Sequence, residues 1–174
     1  MGIVGAVLAG GRSTRMGRDK SLILVDGQPL AARTAAILAS CGCETVYIVG
    51  RQVALRSLDW PVIVDNGPHH HPLFGVAAAL SGHQEGLVLV APCDIVNLSV
   101  DHVLTLIRHG GSCVGMSAGR VHPLLAIYPG SYAQKAEELA TQNAPAMALC
   151  DNLQRVSLPL PELRDANQKT DLPR

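Results

Sequence analysis

The sequence predicts an α/β fold in which helices cover both faces of a doubly wound, mostly parallel sheet. Short apolar runs alternate along the 174-residue chain with segments whose apolar residues recur at helical spacing. The run 86–91 is apolar at every position after its glycine, which is typical of a parallel strand buried on both faces. The connecting segments are short, and no internal repeat or linker interrupts them. These observations predict one domain over 1–174.

The first half of the chain contains clear start and stop signals. Asp26-Gly27 is a turn signal, Pro29 stands where a helix can begin, and Gly42 suits the end of that helix. We predict, in chain order, a strand at 3–8, a short extended piece at 21–25, a helix between Pro29 and Gly42, strands at 45–49 and 62–64, and a helix at 72–80.

The second half continues the same alternation. Ser99 can cap a helix whose apolar residues follow at i, i+3, i+4 and i+7, and Gly110 follows that helix. We predict a strand at 86–91, the helix after Ser99, strands at 113–117 and 124–128, a helix from Ser131 to about 141, and another opening at Pro145. The segment 159–174 is rich in proline and polar residues, so we expect it to be less regular.

Composition argues against several classes of function. A formal net charge of zero and an aromatic content of 3% do not suit a protein that binds nucleic acid through a basic surface or stacked bases. The 5 cysteines include no C-x-x-C pair, which is typical of a reducing compartment. The N-terminus lacks a basic signal-peptide region, and its apolar run is too short to span a membrane. We therefore expect a cytoplasmic protein without nucleic-acid or membrane partners.

The stretch 8–20, LAGGRSTRMGRDK, joins the first strand to a glycine-rich, cationic loop. Glycines let backbone N–H groups approach phosphate oxygens closely, and arginine and lysine balance the phosphate charge. The alternative is an ordinary solvated basic turn. The spacing of Gly11, Gly17 and Lys20 excludes a Walker-type loop, and the dinucleotide pattern G-x-G-x-x-G is absent.

This stretch resembles the signature L-A-G-G-x-S-x-R-M-G-x-D-K of the molybdenum cofactor guanylyltransferases, a family of the nucleotidyltransferase superfamily, and it matches every fixed position. The resemblance implies a Rossmann-like sheet of the nucleotide-diphospho-sugar transferase type. It implies that the nucleotide is bound by Leu8, Ala9, Gly10, Gly11 and Lys20. It also implies catalytic roles for Lys20 and Arg15 at the triphosphate.

Two aspartates follow predicted strands. Asp94 closes Pro92-Cys93-Asp94, where a carboxylate can hold Mg²⁺, although a helix cap or loop aspartate is the alternative. Pro-Cys-Asp resembles the family's second motif, which implies that Asp94 binds Mg²⁺ and nucleotide and takes part in catalysis. Asp65 is similar in position to a family aspartate that contacts the nucleotide. Its alternative is a turn-initiating aspartate before Asn66-Gly67.

Histidines and the C-terminal segment bear on the acceptor. We interpret the triplet 69–71 as a loop that faces an anionic substrate or is merely solvated. His122-Pro123 resembles a family dipeptide near the acceptor, and 165–172 is similar to an altered form of the family's N-x-N-T-P-E-x-L segment, with Asn167 as its second asparagine. The resemblance therefore implies acceptor contacts for His122 and Asn167.

The sequence departs from the family pattern at three places. Asp165 replaces the first asparagine of the C-terminal segment, Val49-Gly50 stands where the family tends to carry an asparagine, and Ile95-Val96-Asn97 lacks the usual proline after Asp94. These departures concern the acceptor site and one nucleotide contact.

The resemblance implies a magnesium-dependent enzyme that transfers GMP from GTP to Mo-molybdopterin, releasing pyrophosphate and forming the molybdopterin guanine dinucleotide cofactor. Molybdoenzymes or their chaperones are the expected recipients. One alternative is a CTP-dependent molybdopterin cytidylyltransferase, which typically carries L-A-A-G where this chain has Gly10. Another is a non-catalytic homologue that binds the nucleotide or the cofactor. L-A-G-G and Pro-Cys-Asp favour GTP.

Overall fold

The structure is a computed structural model that describes residues 2–10 and 20–166. Within these residues the strands of the main sheet are β1 Ile3–Leu8, β4 Val46–Val49, β5 Val62–Ile63, β6 Leu87–Pro92, β7 Cys113–Ser117, β8 Arg120–Pro129 and β9 Gln154–Ser157. A separate two-stranded ribbon is formed by β2 Leu24–Val25 and β3 Gln28–Pro29. The α-helices are α1 Leu30–Ser40, α2 Pro72–Ser81, α3 Val100–Arg108 and α4 Ala133–Thr141. Short 3₁₀ helices lie at Lys20–Leu22, Val53–Ser57, Gly130–Tyr132 and Ala146–Cys150.

The strand order of the main sheet is β5-β4-β1-β6-β8-β7-β9. The four strands from β5 to β6 are mutually parallel, and β8 runs antiparallel to both of its neighbours. The chain moves outward from β1 through β4 to β5 and then returns to β6 on the other side of β1. The order therefore reverses between β1 and β6, where Leu8 is in register with Pro92. In open α/β sheets, ligands bind at such a reversal.

The sheet buries both of its faces, as the apolar runs predict. On one face the buried residues are Ala6, Leu8, Val88 and Val90 of the strands with Leu73, Val76 and Leu80 of α2 and Ala136 and Ala140 of α4. On the other face they are Val7, Leu89 and Ala91 with Ala31, Ala35 and Leu38 of α1 and Val103 and Leu106 of α3. Each fully buried Val or Leu side chain stabilises the folded state by about 1.5–3 kcal/mol. The predicted doubly wound, mostly parallel fold is confirmed.

Helix ends follow local chemistry in most cases. Gly42, with φ of 90°, follows α1, and Pro72 opens α2. Ser99 forms a capping box with His102 at the start of α3. The prediction that Ser131 caps the next helix is wrong in detail. The 3₁₀ turn Gly130–Tyr132 comes first, and α4 begins without a side-chain cap.

The structure differs from the predicted elements at three further places. The piece 21–25 is a 3₁₀ turn followed by β2, because Asp26 and Gly27 have φ of 52° and 78° and close a tight hairpin with β3. β8 is longer than predicted because it pairs with β7 across the turn at Ala118-Gly119. The sequence analysis missed β9, a mostly exposed edge strand without an apolar run.

The C-terminal part of the described chain, 158–166, contains no helix or strand of the main sheet. It nevertheless runs from β7 past α3 to the loop after β6, where Ile95 and Asp165 form an isolated β-bridge. A single domain over the whole chain stays a prediction. In the described ranges, no helix is long and apolar enough to cross a membrane.

Candidate active site

A cavity of about 210 Å³ opens at the carboxyl ends of β1, β4 and β6, beside the point where the strand order reverses. Its walls include residues from three separate stretches of the chain that the sequence analysis singled out. The first stretch supplies Leu8, Ala9 and Gly10 at the end of β1 together with Lys20, the second supplies Asp65, and the third supplies Pro92, Cys93 and Asp94 at the end of β6. Gly11 and Arg15 lie outside the described residues.

Main-chain hydrogen bonds hold the three strand ends together. The Ala9 N–H donates to the Val49 carbonyl at 2.8 Å, and the Cys93 N–H donates to the Leu8 carbonyl at 3.1 Å. α2 approaches this edge closely, because a Cβ added at Gly75 would lie 3.3 Å from Leu8 Cδ2. The backbone after β1 is thus fixed between its two neighbouring strands.

Asp94 is a largely buried carboxylate in a charged neighbourhood. Burial raises its pKa, and the nearby Asp165 carboxylate raises it further, while the Lys20 ammonium opposes the shift. Asp165 is brought to this place by the chain itself, since the Ala166 N–H donates to the Asp94 carbonyl at 2.7 Å. When a carboxylate is buried with a second carboxylate beside it, a nearby cation stabilises its ionised form.

This donor set fits a magnesium ion. In the part of the chain that the structure describes, no three His, Cys, Asp or Glu side chains group closely enough to hold a metal by themselves. Mg²⁺ does not require such a cage, because it commonly binds one or two carboxylates and completes its shell with water and substrate phosphates. Asp94, with Asp165 as the nearest second carboxylate, meets that requirement.

Asp65 is 8% exposed and lies in the loop after β5. Its Oδ1 accepts a hydrogen bond from the Gly67 N–H at 2.9 Å, as expected of a turn-initiating aspartate. The same oxygen accepts from Arg51 Nη2 at 3.1 Å. Asp65 also borders the cavity. It therefore stabilises the turn and at the same time faces the candidate site.

Sequence reasoning missed Arg51. It follows Val49-Gly50, where the family's asparagine is lacking, and the loop returns its side chain to Asp65. The only signal for it in the sequence is a lone cation just after a strand that ends at the site's edge of the sheet.

The histidine triplet has mixed roles. His71 borders the cavity, and its Nδ1 accepts from the Leu73 N–H at 3.3 Å at the start of α2. The His69 ring packs edge-on against Phe74 with centroids 5.1 Å apart, and its carbonyl accepts from Arg51. His70 is exposed. Of the triplet, only His71 therefore borders this cavity, and His70 borders a smaller one beside it.

Of the two residues expected at the acceptor, the structure describes only His122. His122 is partly buried on β8 and is not among the cavity-lining residues; its pKa is lowered by burial and by Arg120, against the effect of Asp165. Arg120 Nη1 lies 3.9 Å from Asp165 Oδ2. Asn167 lies outside the described residues.

Comparison with known proteins supports a common origin for this site. A protein of Opitutus terrae named "Probable molybdenum cofactor guanylyltransferase" is 35% identical over 136 residues, which cover 73% of this chain and 66% of the relative. A molybdenum cofactor guanylyltransferase of Burkholderia orbicola is 39% identical over 111 residues, which cover 60% of this chain and 54% of the relative. The chain thus spans less than two thirds of the length of these curated relatives.

The fold is also found in solved structures. A protein of Aquifex aeolicus VF5 superposes with a TM-score of 0.76 at 26% identity, over 95% of this chain and 94% of that one. The family model described as "MobA-like NTP transferase domain" matches residues 5–156, from β1 nearly to the end of β9. Since this match includes every strand that borders the cavity, the chain belongs to the family of MobA-like NTP transferase domains.

Proposed function

We propose that this protein transfers GMP from GTP to Mo-molybdopterin, releasing pyrophosphate and forming the molybdopterin guanine dinucleotide cofactor. One observation carries the proposal: a single cavity at the sheet's reversal point gathers the backbone of 8–10, Lys20, Asp65 and Asp94. The names of the curated relatives support the same activity. Molybdoenzymes or their chaperones are the proposed recipients of the product.

The chemistry of Asp65 supports GTP over CTP. A carboxylate only accepts hydrogen bonds, and guanine presents two adjacent donors, N1–H and the 2-amino group. Cytosine presents one amino donor next to an acceptor nitrogen, so the same carboxylate would face a repelling lone pair. Gly10 lies close by, since a Cβ added there would lie 4.0 Å from Asp65 Oδ2. Its missing side chain leaves room beside this oxygen.

Transfer needs no covalent intermediate with the protein. An oxygen of the acceptor's terminal phosphate attacks the α-phosphorus of GTP, a new P–O bond forms, and the bond from that phosphorus to the α–β bridging oxygen breaks. The electron pair leaves with pyrophosphate. The Lys20 ammonium and the backbone N–H groups after β1 would hold the triphosphate and neutralise the charge that develops on the leaving group.

Asp94, assisted by Asp165, would hold Mg²⁺. When bound, the ion would supply positive charge that polarises the α-phosphate. The chain's own part is to place the two carboxylates and Lys20 around one space. This proposal also gives a reason for the partly buried position of Asp94, which is costly without a partner cation.

The test is pyrophosphate release with Mo-molybdopterin and Mg²⁺, with GTP or CTP as donor. We expect release with GTP that requires Mg²⁺ and falls ~10²–10³-fold or more in Asp94→Ala. Asp59→Ala is the matched control, because Asp59 is exposed and is not among the cavity-lining residues. A preference for CTP would indicate the cytidylyltransferase. Nucleotide binding without release from either donor would indicate the non-catalytic homologue.

A further inference from the structure

We propose that Arg51 is a positioning residue that holds Asp65 in the orientation needed to recognise guanine, and so sets base specificity. The inference rests on the proposed function, because it assumes that the base of the donor nucleotide lies against Asp65. It concerns a residue that does not border the main cavity itself.

Arg51 links two segments that meet at the edge of the site. Its Nη2 donates to Asp65 Oδ1 at 3.1 Å and to the His69 carbonyl at 2.8 Å. The backbone that carries it is fixed as well, since the Gly50 N–H donates to the Ile63 carbonyl at 3.1 Å. The Arg51 side chain is 27% exposed, so this ion pair is only partly screened by water.

The contacts to Asp65 are unequal between its two oxygens. Oδ1 accepts from both Arg51 and the Gly67 N–H, and this pair of bonds fixes the plane of the carboxylate. Oδ2 lies on the side of Gly10, 4.0 Å from the place where a Cβ of that residue would be. Oδ2 is therefore the oxygen on the Gly10 side that can accept from the nucleotide. Rotation of the carboxylate would break the bonds on Oδ1.

A side cavity of about 150 Å³ lies beside the main one. It is bordered by Gly10, Arg51 and Asp65 and shares Gly10 and Asp65 with the main cavity. Arg51 thus borders the side cavity alone, whereas Asp65 borders both cavities. Arg51 acts on a ligand in the main cavity through the carboxylate.

This geometry predicts a specific chemical consequence. An oriented Oδ2 can accept from both N1–H and the 2-amino group of guanine, whereas hypoxanthine lacks the amino group. Without Arg51, Oδ1 keeps only the bond from the Gly67 N–H, so the carboxylate is held less firmly and discrimination between the two bases falls. The triphosphate contacts lie with Lys20 and the backbone after β1, so they are unaffected. A role of Arg51 in binding phosphate would instead change the affinity for every nucleotide equally.

The experiment is calorimetric titration of the full-length protein with GTP, ITP and CTP, with Mg²⁺ present and no acceptor. The variants are Arg51→Gln, Arg51→Lys, Asp65→Ala and the double variant Arg51→Gln/Asp65→Ala. Arg56→Gln is the matched control, an exposed arginine on the neighbouring 3₁₀ helix Val53–Ser57. Thermal melts establish that each variant is folded.

We expect Arg51→Gln to weaken GTP binding about tenfold or more and to bring the GTP and ITP affinities closer together. Arg51→Lys should retain part of the preference, because it keeps the charge but not the fork of donors. In the Asp65→Ala background, Arg51→Gln should add nothing. Arg56→Gln should bind as the wild type does.

Three results would overturn the inference. An equal loss for GTP, ITP and CTP would place Arg51 at the phosphates. An undiminished effect of Arg51→Gln in Asp65→Ala would show that it does not act through that carboxylate. Wild-type affinity for GTP in both Arg51 variants would remove its role while leaving the proposed function intact. A wild-type protein that binds no GTP would instead overturn the proposed function and this inference with it.

Discussion

Lys20 begins the 3₁₀ helix Lys20–Leu22, which is the first element after β1 that the structure describes. It borders the cavity together with Asp94, and its ammonium group counteracts the rise in the pKa of that carboxyl. A lysine is a compact point charge with rotatable donors, which suits the flexible oxygens of a triphosphate. The two stretches that resemble the family's motifs, 8–20 and 92–94, therefore meet at this cavity.

We predict that Lys20→Met lowers kcat of the proposed transfer by ~10²–10³-fold, because one preorganised charge opposite the leaving pyrophosphate is lost. Lys20→Arg should restore part of the rate, since the charge remains. The measurement is steady-state pyrophosphate release at saturating GTP. A kcat within a factor of about two of the wild type in Lys20→Met would contradict the assignment.

At the scale of elements, the C-terminal segment is held like a strap across the loop after β6. Asn97 Nδ2 donates to the Glu162 carbonyl at 2.7 Å, and the Arg164 N–H donates to Asn97 Oδ1 at 2.8 Å. The Val96 N–H adds a bond to the Arg164 carbonyl at 3.0 Å. The family's proline after Asp94 is thus replaced by residues that bind this strap, 162–166, and place Asp165 near Asp94.

We predict that Asn97→Ala destabilises the strap by about 1–3 kcal/mol, because two side-chain hydrogen bonds are lost. The Mg²⁺ concentration that gives half-maximal activity should rise, because Asp165 is then held less firmly beside Asp94. Asn97→Asp is the matched variant, since it keeps the bond from the Arg164 N–H and loses the bond to Glu162. Hydrogen exchange at the amides of 163–166 reports the loosening directly. Unaltered protection in Asn97→Ala would show that the strap is held by other contacts.

His102 connects α3 to the start of the same segment. The Ser99 N–H donates to His102 Nδ1 at 3.1 Å, so Nε2 carries the proton and can donate to the Pro159 and Pro161 carbonyls, each 3.1 Å away. The ring is completely buried. One side chain therefore caps a helix and satisfies the backbone of the neighbouring segment.

We predict that His102→Ala lowers the free energy of unfolding by about 2–4 kcal/mol, because it leaves a cavity and removes the hydrogen bonds to the Pro159 and Pro161 carbonyls. Ser99→Ala, which removes the cap alone, should cost only about 1 kcal/mol. Urea denaturation measures both values. Equal losses in the two variants would mean that the bonds to 159–161 contribute little.

At the scale of the whole molecule, stability and the site make opposing demands on Asp94. Its raised pKa means that the folded protein binds this proton more tightly than the unfolded chain does. Ionisation at neutral pH therefore destabilises the metal-free fold, and this cost disappears as pH falls through the raised pKa. A bound divalent cation would offset the cost by binding the folded state.

We predict that Asp94→Asn, in the absence of divalent cations at neutral pH, has a higher Tm than the wild type and no transferase activity. The difference in Tm should shrink as pH is lowered and also when Mg²⁺ is added to both proteins. Asp59→Asn, a change at an exposed carboxylate, is the control. A lower Tm for Asp94→Asn at neutral pH would contradict the electrostatic argument. Scanning calorimetry across pH provides the measurement.

Much of the architecture could be predicted because the spacing of apolar residues along the chain indicates which segments are buried. Continuous apolar runs predicted β1 and β6 as strands buried on both faces, and helical spacing predicted α1, α2 and α3. The edge strand β9 escaped prediction because an exposed edge needs no apolar run. Turn geometry at Asp26-Gly27 was signalled, but the ribbon of β2 with β3 required knowledge of the pairing.

By itself, the sequence determined the α/β fold and the placement of a glycine-rich, cationic stretch after β1 and of two aspartates after strands. The roles of these residues in nucleotide binding stay predictions. Only the tertiary structure decided that Arg51 pairs with Asp65 across 14 positions and that Asn97 holds the segment 65 positions ahead of it. The physical reason is that periodicity reports which residues are buried, whereas these hydrogen bonds depend on which loops meet at the edge of the sheet. Arg51 meets Asp65 because the loops that carry them follow the neighbouring parallel strands β4 and β5, and Asn97 meets 162–164 because the C-terminal segment passes the loop after β6.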